Sequence, residues 1–453
     1  MNNKLTTASL LLLSVLASQA MAKVSSEQAA KLGNELTPTG AIQAANADNS
    51  IPAWTGGLNS TSGLKSKDAG RPDNPFPDEK PLFVITSTNA KQYKDKLTPG
   101  QLAMFAKHPD YTMPIYKTHR SAAMPQAIYD HIKQNATSSE LVEGGNGLAN
   151  FNTAIPFPIP STGMEVIWNH LTRYRGGAAK RFNTAIPVQT NGSFTPIIAN
   201  DTFAWPEFLV GGRDAAKDDN ILFYYLQKIT APALYTGSAL MVHDTIDQVK
   251  DSRRAWVYNT GQRRVRRAPN VAYDAPSVGT DGLRVTDDYD MYNGAPNRYH
   301  WKLISKQELY IPYNAYKLLD TNLSYDDIID KGHMNGKHLR YELHRVWKVE
   351  ATLKDKLRHI YGKRTFYIDE DTWQAAVIDK YDGRGDLWRV AEAHTIQFYD
   401  VDATWMATEV NFDLNSGRYI VTGLSNEEPK YMQWGIKAKR KDFSTSALRR
   451  LGR

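Results

Sequence analysis

A stretch of alternating apolar and polar residues from 341 to 353 is the clearest structural signal in the chain. Every second position carries an apolar side chain, apart from Arg345, and the positions between them are mostly polar. Because successive side chains of a β-strand point to opposite faces, this period of two predicts a strand with one apolar face. The apolar positions are Tyr341, Leu343, Trp347, Val349, Ala351 and Leu353.

Shorter segments with strand character follow one another from about residue 234 onward. Residues 255–258 are separated from residues 263–267 by Asn-Thr-Gly-Gln, a turn sequence that predicts a β-hairpin. In residues 298–303 large apolar residues alternate with cations. Further strands are predicted at 364–368, 375–381, 387–393, 396–399, 409–412 and 419–422.

The first half of the chain carries helical signals instead. Thr98 followed by Pro99 predicts a helix start, since threonine caps helices and proline suits the first helical position. Residues 125–134 and 164–174 predict two further helices. Residues 219–229 become strongly apolar and fit either a buried helix or a strand.

These patterns divide the chain into parts. After a signal peptide at 1–22 we expect one large domain over residues 23–453. Spaced apolar residues such as Trp54 and Phe76 favour an arm pinned to a core over a disordered one. The expected parts are an irregular N-terminal arm at 23–81, a mainly helical half at 82–230, a β-rich half at 231–430 and a solvated basic C-terminal tail at 431–453.

The predicted fold class is α+β. Many consecutive antiparallel strands with one apolar face must close on themselves or be covered. We therefore expect a large curved antiparallel sheet, forming an open β-barrel, with helices packed against its concave face.

The first residues predict export. Lys4 precedes a short apolar run at 8–17, and Ala20-Met21-Ala22 matches the small-x-small pattern that signal peptidase cleaves. The run is too short for a membrane-spanning helix, although an uncleaved anchor is the alternative. We expect cleavage after Ala22 and a periplasmic mature protein. The absence of cysteine from the sequence excludes disulfides and thiolate chemistry.

The formal net charge of +7 is modest for 453 residues. It fits attraction to anionic lipid head groups or acidic partners. Nucleic acid is not expected as a partner in the periplasm.

Catalytic signatures are scarce. The sequence contains no GxSxG, HExxH, Walker or GxGxxG motif, so we predict a protein that is not an enzyme and has no cofactor or resident metal. His333 and His338, with His344 nearby, are more typical of turns and strand faces than of a metal site. Two groups of acids are likewise more typical of turns and other structural positions than of a calcium site or a catalytic carboxylate pair. They are Asp369, Glu370 and Asp371, and Asp379, Asp382 and Asp386.

An arginine cluster lies in the second strand of the predicted hairpin. Arg263 and Arg267 point to one face of that strand, and Arg264 and Arg266 point to the other. Guanidinium groups bind phosphate and carboxylate head groups well, which makes all four candidate ligand-binding residues. The alternative is an edge strand protected by charge.

Aromatic side chains are abundant on the predicted strands. Most should be core, yet a curled sheet that is rich in aromatics and incompletely filled is a natural container for an acyl chain. The candidate ligand-binding aromatics are Trp256, Tyr258, Trp301, Tyr341 and Trp347.

Several long motifs resemble one bacterial family. They include AWVYNTGQRRVRRAPNVAYDAP (255–276), RYELHRVWKVEATLKDKLRHIYGKRTFYIDEDTW (340–373), DKYDGRGDLWRVAEAH (379–394) and RYRGG (173–177). Over nearly the whole mature chain the sequence resembles domain of unknown function family 1329. The resemblance implies a distant relation to outer-membrane lipoprotein carriers, whose open barrel holds acyl chains. It also implies a resistance-nodulation-division-type permease and an outer-membrane protein as partners.

The leading functional hypothesis is therefore a periplasmic carrier of a lipid or other hydrophobic molecule that acts with an envelope transporter. One alternative is an adaptor between an inner-membrane permease and an outer-membrane protein, without a ligand of its own. Another is a periplasmic hydrolase that uses Asp369, Glu370, Asp371 or the region of His333 and His338.

Overall fold

A computed structural model describes residues 24–66, 70–268, 271 and 273–452. The predicted signal peptide at 1–22 lies outside these residues. Within the described ranges, every helix is too short or too polar to cross a bilayer.

The helices begin where the sequence supplies caps. Thr98 caps α2 with Gln101 in a capping box, and Pro99 takes the first helical position, which confirms the predicted start. Thr162 and Glu165 cap α4 in the same way. The helices of the described residues are α1 (Ser26–Ala29), α2 (Pro99–Lys107), α3 (Gln126–Ser138), α4 (Gly163–Thr172), α5 (Tyr325–Ile328) and α6 (Thr445–Gly452).

Strands dominate the rest of the described chain. They are β1 (Phe83–Thr86), β2 (Thr112–Ile115), β3 (Glu140–Val142), β4 (Gly147–Ala149), β5 (Ala178–Val188), β6 (Ile197–Ala204), β7 (Ile221–Ala231), β8 (Ala239–Thr245), β9 (Arg254–Asn259), β10 (Arg264–Ala268), β11 (Tyr299–Pro312), β12 (Tyr341–Leu353), β13 (Lys363–Asp369), β14 (Ala375–Tyr381), β15 (Leu387–Phe398), β16 (Ala403–Asp413), β17 (Tyr419–Thr422) and β18 (Met432–Trp434). Short 3₁₀ turns lie between several of them.

In the described residues, all strands except β3 and β4 belong to one sheet. Its main order is β11-β12-β13-β14-β15-β16-β17-β5-β6-β7-β8-β9-β10, and all these neighbours are antiparallel. β2 joins β12 through one parallel bridge, Tyr341 to Ile115, and carries β1. Over the described residues the sheet does not close on itself: β10 is the edge at one end, and β11 and β1 are edge strands at the other.

The predicted fold class is confirmed: this is an α+β protein built on a large curved, open sheet. β12 has the bounds that its alternation predicts. The predicted hairpin is β9–β10, with Val265 opposite Tyr258.

The middle of the chain differs from the prediction of a mainly helical half at 82–230. Residues 178–188 and 197–204 form β5 and β6 rather than helices, and residues 221–231 form β7, which is the strand alternative for residues 219–229. Both faces of β7 are covered, since Phe223 and Tyr225 belong to the main core and Tyr224 to a second core under α6. A strand buried on both faces loses its period of two, and the buried pair of Arg181 with Asp201 further masks the pattern.

Side chains from distant strands meet on the concave face of the sheet. Tyr341 on β12 donates a hydrogen bond to Glu392 on β15 at 2.9 Å. Gln101 of α2 donates to the carbonyl of Tyr310 on β11 at 3.2 Å and to Glu392 at 3.1 Å. Because these strands lie up to four apart in the sheet order, the contacts require strong curvature, and α2 fills part of the concave side.

The N-terminus of α2 points at a buried carboxylate. Asp379 of β14 accepts hydrogen bonds from the backbone of Gly100 at 3.1 Å and the hydroxyl of Thr98 at 3.2 Å. Burial raises the pKa of Asp379 to about 7, and it raises the pKa of Glu392 to about 7 as well. Two acids that are hard to ionise therefore hold α2 in place.

The N-terminal arm is ordered along the sheet over the described residues 24–66 and 70–81. Ile51 is buried, and the indole of Trp54 donates to the carbonyl of Ala122 at 3.0 Å. Phe76 stacks on His119 at 3.9 Å between ring centres. The arm is thus fastened by apolar anchors of the kind that the sequence suggests.

Candidate functional site

The aromatic residues predicted on β9 lie beneath the chain's own C-terminal segment. Tyr258 is buried, and a Cβ placed on Gly452 of α6 would lie 2.1 Å from its ring. Trp256 packs edge-on against His243 at 4.8 Å, and His243 in turn bonds to the carbonyl of Phe443 at 2.8 Å. Residues 431–452 therefore pack against the sheet, in contrast to the expected solvated tail.

The remaining predicted aromatics lie near the other edge of the sheet. Trp301 donates to the carbonyl of Pro296 at 2.8 Å. Trp347 stacks on Trp373 at 6.0 Å, and the ammonium of Lys306 lies 4.1 Å from its ring centre. Tyr341 is fully buried in the contacts described above. The structure thus does not bring Trp301, Tyr341 and Trp347 together with Trp256 and Tyr258.

The four predicted arginines are exposed at a sheet edge. Arg263 lies in the β9–β10 turn with φ of 52°, and the other three lie on β10. All four side chains are solvent-exposed. Within the described ranges none of them forms an ion pair, so their charges are available to a partner.

One small cavity lies among aromatic side chains of β6, β7 and β16. Its volume is only about 10 Å³, which is about the room that one water molecule needs. It is lined by Phe203, Trp205, Phe223, Tyr289 and Trp405, together with Arg175, Asp290 and Asn293. A ligand larger than water would have to displace protein side chains from this space.

A larger groove opens at the surface beside β5. Its volume is about 260 Å³. It is lined by Gly176, Ala178, Phe208, Leu209, Val210, Gly435, Ile436 and Lys437. None of the residues predicted from the sequence is among them.

Two adjacent glycines lie at one end of this groove. Gly176 and Gly177 have φ of 77° and 79°, a conformation that favours glycine. A Cβ on Gly176 would lie 2.3 Å from the Trp434 ring, and one on Gly177 would lie 2.6 Å from Phe208. The backbone of this turn therefore packs directly against both rings, of which Phe208 lines the groove together with Gly176.

The walls of the groove are fixed by hydrogen bonds. The amide of Val210 donates to the carbonyl of Ala438 at 2.9 Å, and Gly435 donates to Ala178 at 2.9 Å. Behind them Arg440 pairs with Asp218. Burial would raise the pKa of Asp218, but the hydrogen bond and charge of Arg440 lower it to about 2. The groove is thus preformed, with the exposed side chain of Lys437 at its rim.

The acids of the β13–β14 turn are buried in ion pairs. Asp371 receives two hydrogen bonds from Arg120, and Glu370 pairs with Lys306 at 2.8 Å and Arg345 at 3.2 Å. Both arginines also donate to carbonyls of the N-terminal arm. The cluster therefore fastens the arm to the sheet.

One corner of this cluster could in principle hold a metal ion. His344, Asp369 and Asp371 offer ligand atoms within 4.8 Å of one another. Burial and the charge of Asp371 raise the pKa of Asp369 to about 7. Arg120 already neutralises Asp371, which leaves little room for a second cation. In the described residues no hydrogen bond or ion pair links His333 or His338 to these acids, so the hydrolase hypothesis gains no converging site.

Residues 84–449 match the model of a protein family described as being of unknown function, DUF1329. The chain belongs to the DUF1329 family. An uncharacterised protein of Pseudomonas aeruginosa is 56% identical over 443 residues, which cover 98% of this chain and 97% of that protein.

Solved structures similar to this DUF1329 protein have low sequence identity. A lipoprotein-sorting protein domain from Vibrio parahaemolyticus is 15% identical, with a TM-score of 0.44 over 63% of this chain and 97% of that one. A DUF1329 protein from Desulfovibrio piger is 15% identical, with a TM-score of 0.41 over 60% of this chain and 92% of that one. A LolA superfamily protein from Nitrosomonas europaea is 13% identical, with a TM-score of 0.38 over 64% of this chain and 100% of that one.

The DUF1329 match includes every part of the surface groove. Gly176 and Gly177 come from the RYRGG motif that carried part of the family resemblance. Val210 is 48% exposed, which is high for a valine. The paired glycines were thus a visible signal, but the sequence could not indicate that residues 208–210 and 435–437 would meet them.

Proposed function

We propose that this DUF1329 protein works in the periplasm, where it binds and carries a lipid-like molecule through the groove beside β5. The observation that supports this proposal is a preformed groove of about 260 Å³ whose lining includes Phe208, Leu209, Val210 and Ile436, with a cation at its rim. Phe208, Leu209, Val210 and Ile436 would contact the hydrocarbon part, and Lys437 would face an anionic head group.

The groove suits one chain rather than a whole lipid. Burying hydrocarbon contributes about 0.8 kcal/mol per methylene, so a stretch of about eight carbons would gain roughly 6 kcal/mol. Part of that gain is offset by the loss of ligand freedom on binding. We therefore expect dissociation constants of roughly tens of micromolar or weaker. Such affinity fits a carrier that must release its cargo.

Filling the groove should abolish most ligand binding. We expect Val210→Trp to bind laurate about tenfold or more weakly than the parent protein, because the indole would occupy the space of the chain. Isothermal titration calorimetry with laurate measures this directly. Val249→Trp is the matched control, since Val249 is 53% exposed and lies between β8 and β9. Equal laurate affinity of both variants would contradict the proposed site.

The rim cation should discriminate between head groups. We expect Lys437→Glu to weaken laurate binding about fivefold, which matches about 1 kcal/mol for an exposed charge pair. Binding of uncharged 1-dodecanol should stay unchanged, because only the head group differs. Lys91→Glu, an exposed site near α2, is the control. An equal loss for both ligands would assign Lys437 a packing role instead.

A second candidate function is the adaptor between a permease and an outer-membrane protein. The small volume of the cavity lined by Phe203, Trp205 and Trp405, about 10 Å³, favours it, because an adaptor needs no interior space for a ligand. The two functions separate experimentally. If the parent protein binds neither laurate nor dodecanol, yet co-purifies with a resistance-nodulation-division-type permease, the adaptor replaces the carrier.

A further inference from the structure

One end of the β5–β10 part of the sheet combines exposed apolar side chains with exposed cations. The β5–β6, β7–β8 and β9–β10 turns lie at this end because neighbouring strands are antiparallel. We define the distal tip as these turns, residues 189–196, 232–238 and 260–263, together with residues 278–279. Contacts join its parts: a Cβ on Gly237 would lie 2.8 Å from Thr260, and one on Gly279 would lie 2.6 Å from Ile197.

The distal tip exposes unusual apolar surface. Leu234 is 83% exposed and Val278 is 75% exposed. Among the large apolar side chains of the described residues these are the two most exposed. Both lie in loops that contact one apolar cluster, since Tyr235 packs against the cluster of Ile197, Ala199 and Ile229, and Gly279 lies against Ile197. Two such exposed side chains in loops at the same end of the sheet fit a surface that a partner covers.

Cations flank this apolar tip. Arg263, Arg264, Arg266 and Arg267 lie in and after the β9–β10 turn. Arg449 and Arg450 lie on the last turns of α6, whose end at Gly452 packs on Tyr258 of β9. All six are exposed, and within the described ranges none is in an ion pair. Asp281, an acid at this end, is already paired with Arg418 at 3.0 Å.

Protection of an edge strand explains only part of this arrangement. Charges on β10 would discourage another chain from pairing with it. That role requires neither arginines on α6 nor an exposed Leu234 and Val278. Apolar tips that insert between head groups, surrounded by cations that attract anionic lipids, are the features of a protein that lies on a membrane.

We infer that the distal tip docks this protein reversibly onto an anionic lipid bilayer. Leu234 and Val278 enter the interface between head groups and acyl chains, and the six arginines face anionic head groups. This inference is independent of the proposed carrier function. β5 runs from Ala178 at the groove to Val188 near the tip, so the two sites are roughly 33 Å apart.

Flotation with vesicles of defined composition tests the docking surface. The full mature chain should float with vesicles of phosphatidylglycerol and phosphatidylethanolamine in equal parts at low salt. It should not float with pure phosphatidylcholine vesicles, and high salt should release it, because the attraction is largely electrostatic. Flotation that is equal on both vesicle types would overturn the inference.

Variants separate docking from simple adsorption of a basic protein. Leu234→Asp with Val278→Asp should lower the partition coefficient about tenfold or more, with unchanged thermal unfolding because both side chains are exposed. Arg264→Gln with Arg266→Gln should lower it about fivefold per arginine. Leu82→Asp and Val249→Asp, at exposed sites outside the tip, should bind as the parent does. If the double aspartate variant also binds as the parent does, the distal tip is not the docking surface.

Discussion

Replacing Arg120 by alanine will lower the free energy of unfolding by about 3–5 kcal/mol. The guanidinium donates to both carboxylate oxygens of Asp371, at 2.9 Å and 2.6 Å. Asp371 is only 3% exposed, so the variant would leave a buried charge without its partner. It would also remove the donor to the arm carbonyls of Gln43 and Pro52.

Urea unfolding, followed by circular dichroism, measures this loss. Arg384→Ala is the control, because Arg384 pairs with Asp382 at 3.0 Å but its side chain is 79% exposed. A change below about 0.5 kcal/mol is expected there. Limited proteolysis should also cleave the arm of the Arg120 variant first, since the cluster fastens it. A loss as small as that of the control would mean that the buried network does not stabilise the fold.

Replacing Asp379 by asparagine will stabilise the protein at pH 8 by up to about 4 kcal/mol. Burial raises the pKa of Asp379 to about 7 from the usual 3.8. Each unit of that shift corresponds to about 1.36 kcal/mol. An asparagine can keep the hydrogen bonds from Gly100 and Thr98 without carrying a charge.

The pH dependence has a definite sign. Between about pH 4 and pH 7 the folded protein keeps a proton on Asp379 that the unfolded chain has released, so this group's stabilising contribution is lost as the pH rises. The advantage of Asp379→Asn should therefore be near zero at about pH 4 and largest above pH 7. Burial lowers the pKa values of His170 and His394 to about 3, so their contribution to stability increases as the pH rises. That contribution is the same in the variant and the parent, so it cancels when the two proteins are compared.

Urea unfolding of both proteins across this pH range provides the measurement. Asp326→Asn, at an exposed position in α5, controls for the removal of one carboxyl group. An Asp379→Asn variant that is less stable than the parent at pH 8 would show that the carboxylate is stabilised by its hydrogen bonds more than burial disfavours it.

Local patterns predicted those elements whose two faces differ. The strand at 341–353 followed from alternation alone, and the hairpin at 255–267 followed from alternation and a turn sequence. The start of α2 followed from Thr98 and Pro99, because capping is a property of adjacent residues. β5 and β6 were missed, and for residues 219–229 a buried helix and a strand both stayed open, since α6 and the main core cover both faces of β7 and remove the alternation.

For the predicted binding residues too, the sequence indicated the residue type and the tertiary structure decided the exposure. Arginines of β10 were identified by type and spacing, and their exposure depends on β10 being the last strand of the sheet. Tyr258 and Trp256 were identified as aromatic strand residues, yet α6 covers Tyr258 and His243 packs against Trp256. Residue type indicates what a side chain could bind, but only its neighbours decide whether a ligand can reach it.

Adjacent residues were sufficient to predict the α+β class, most strands of the second half and the family. The strand order, the burial of Asp379 and Asp371, the groove and the distal tip depend on residues that are far apart in the chain. The groove joins residues 176–178, 208–210 and 435–437, and the tip joins Leu234 to Val278 and the arginines of β10. Such sites arise from long-range packing, whose free energy depends on which surfaces meet and not on the local order of residues.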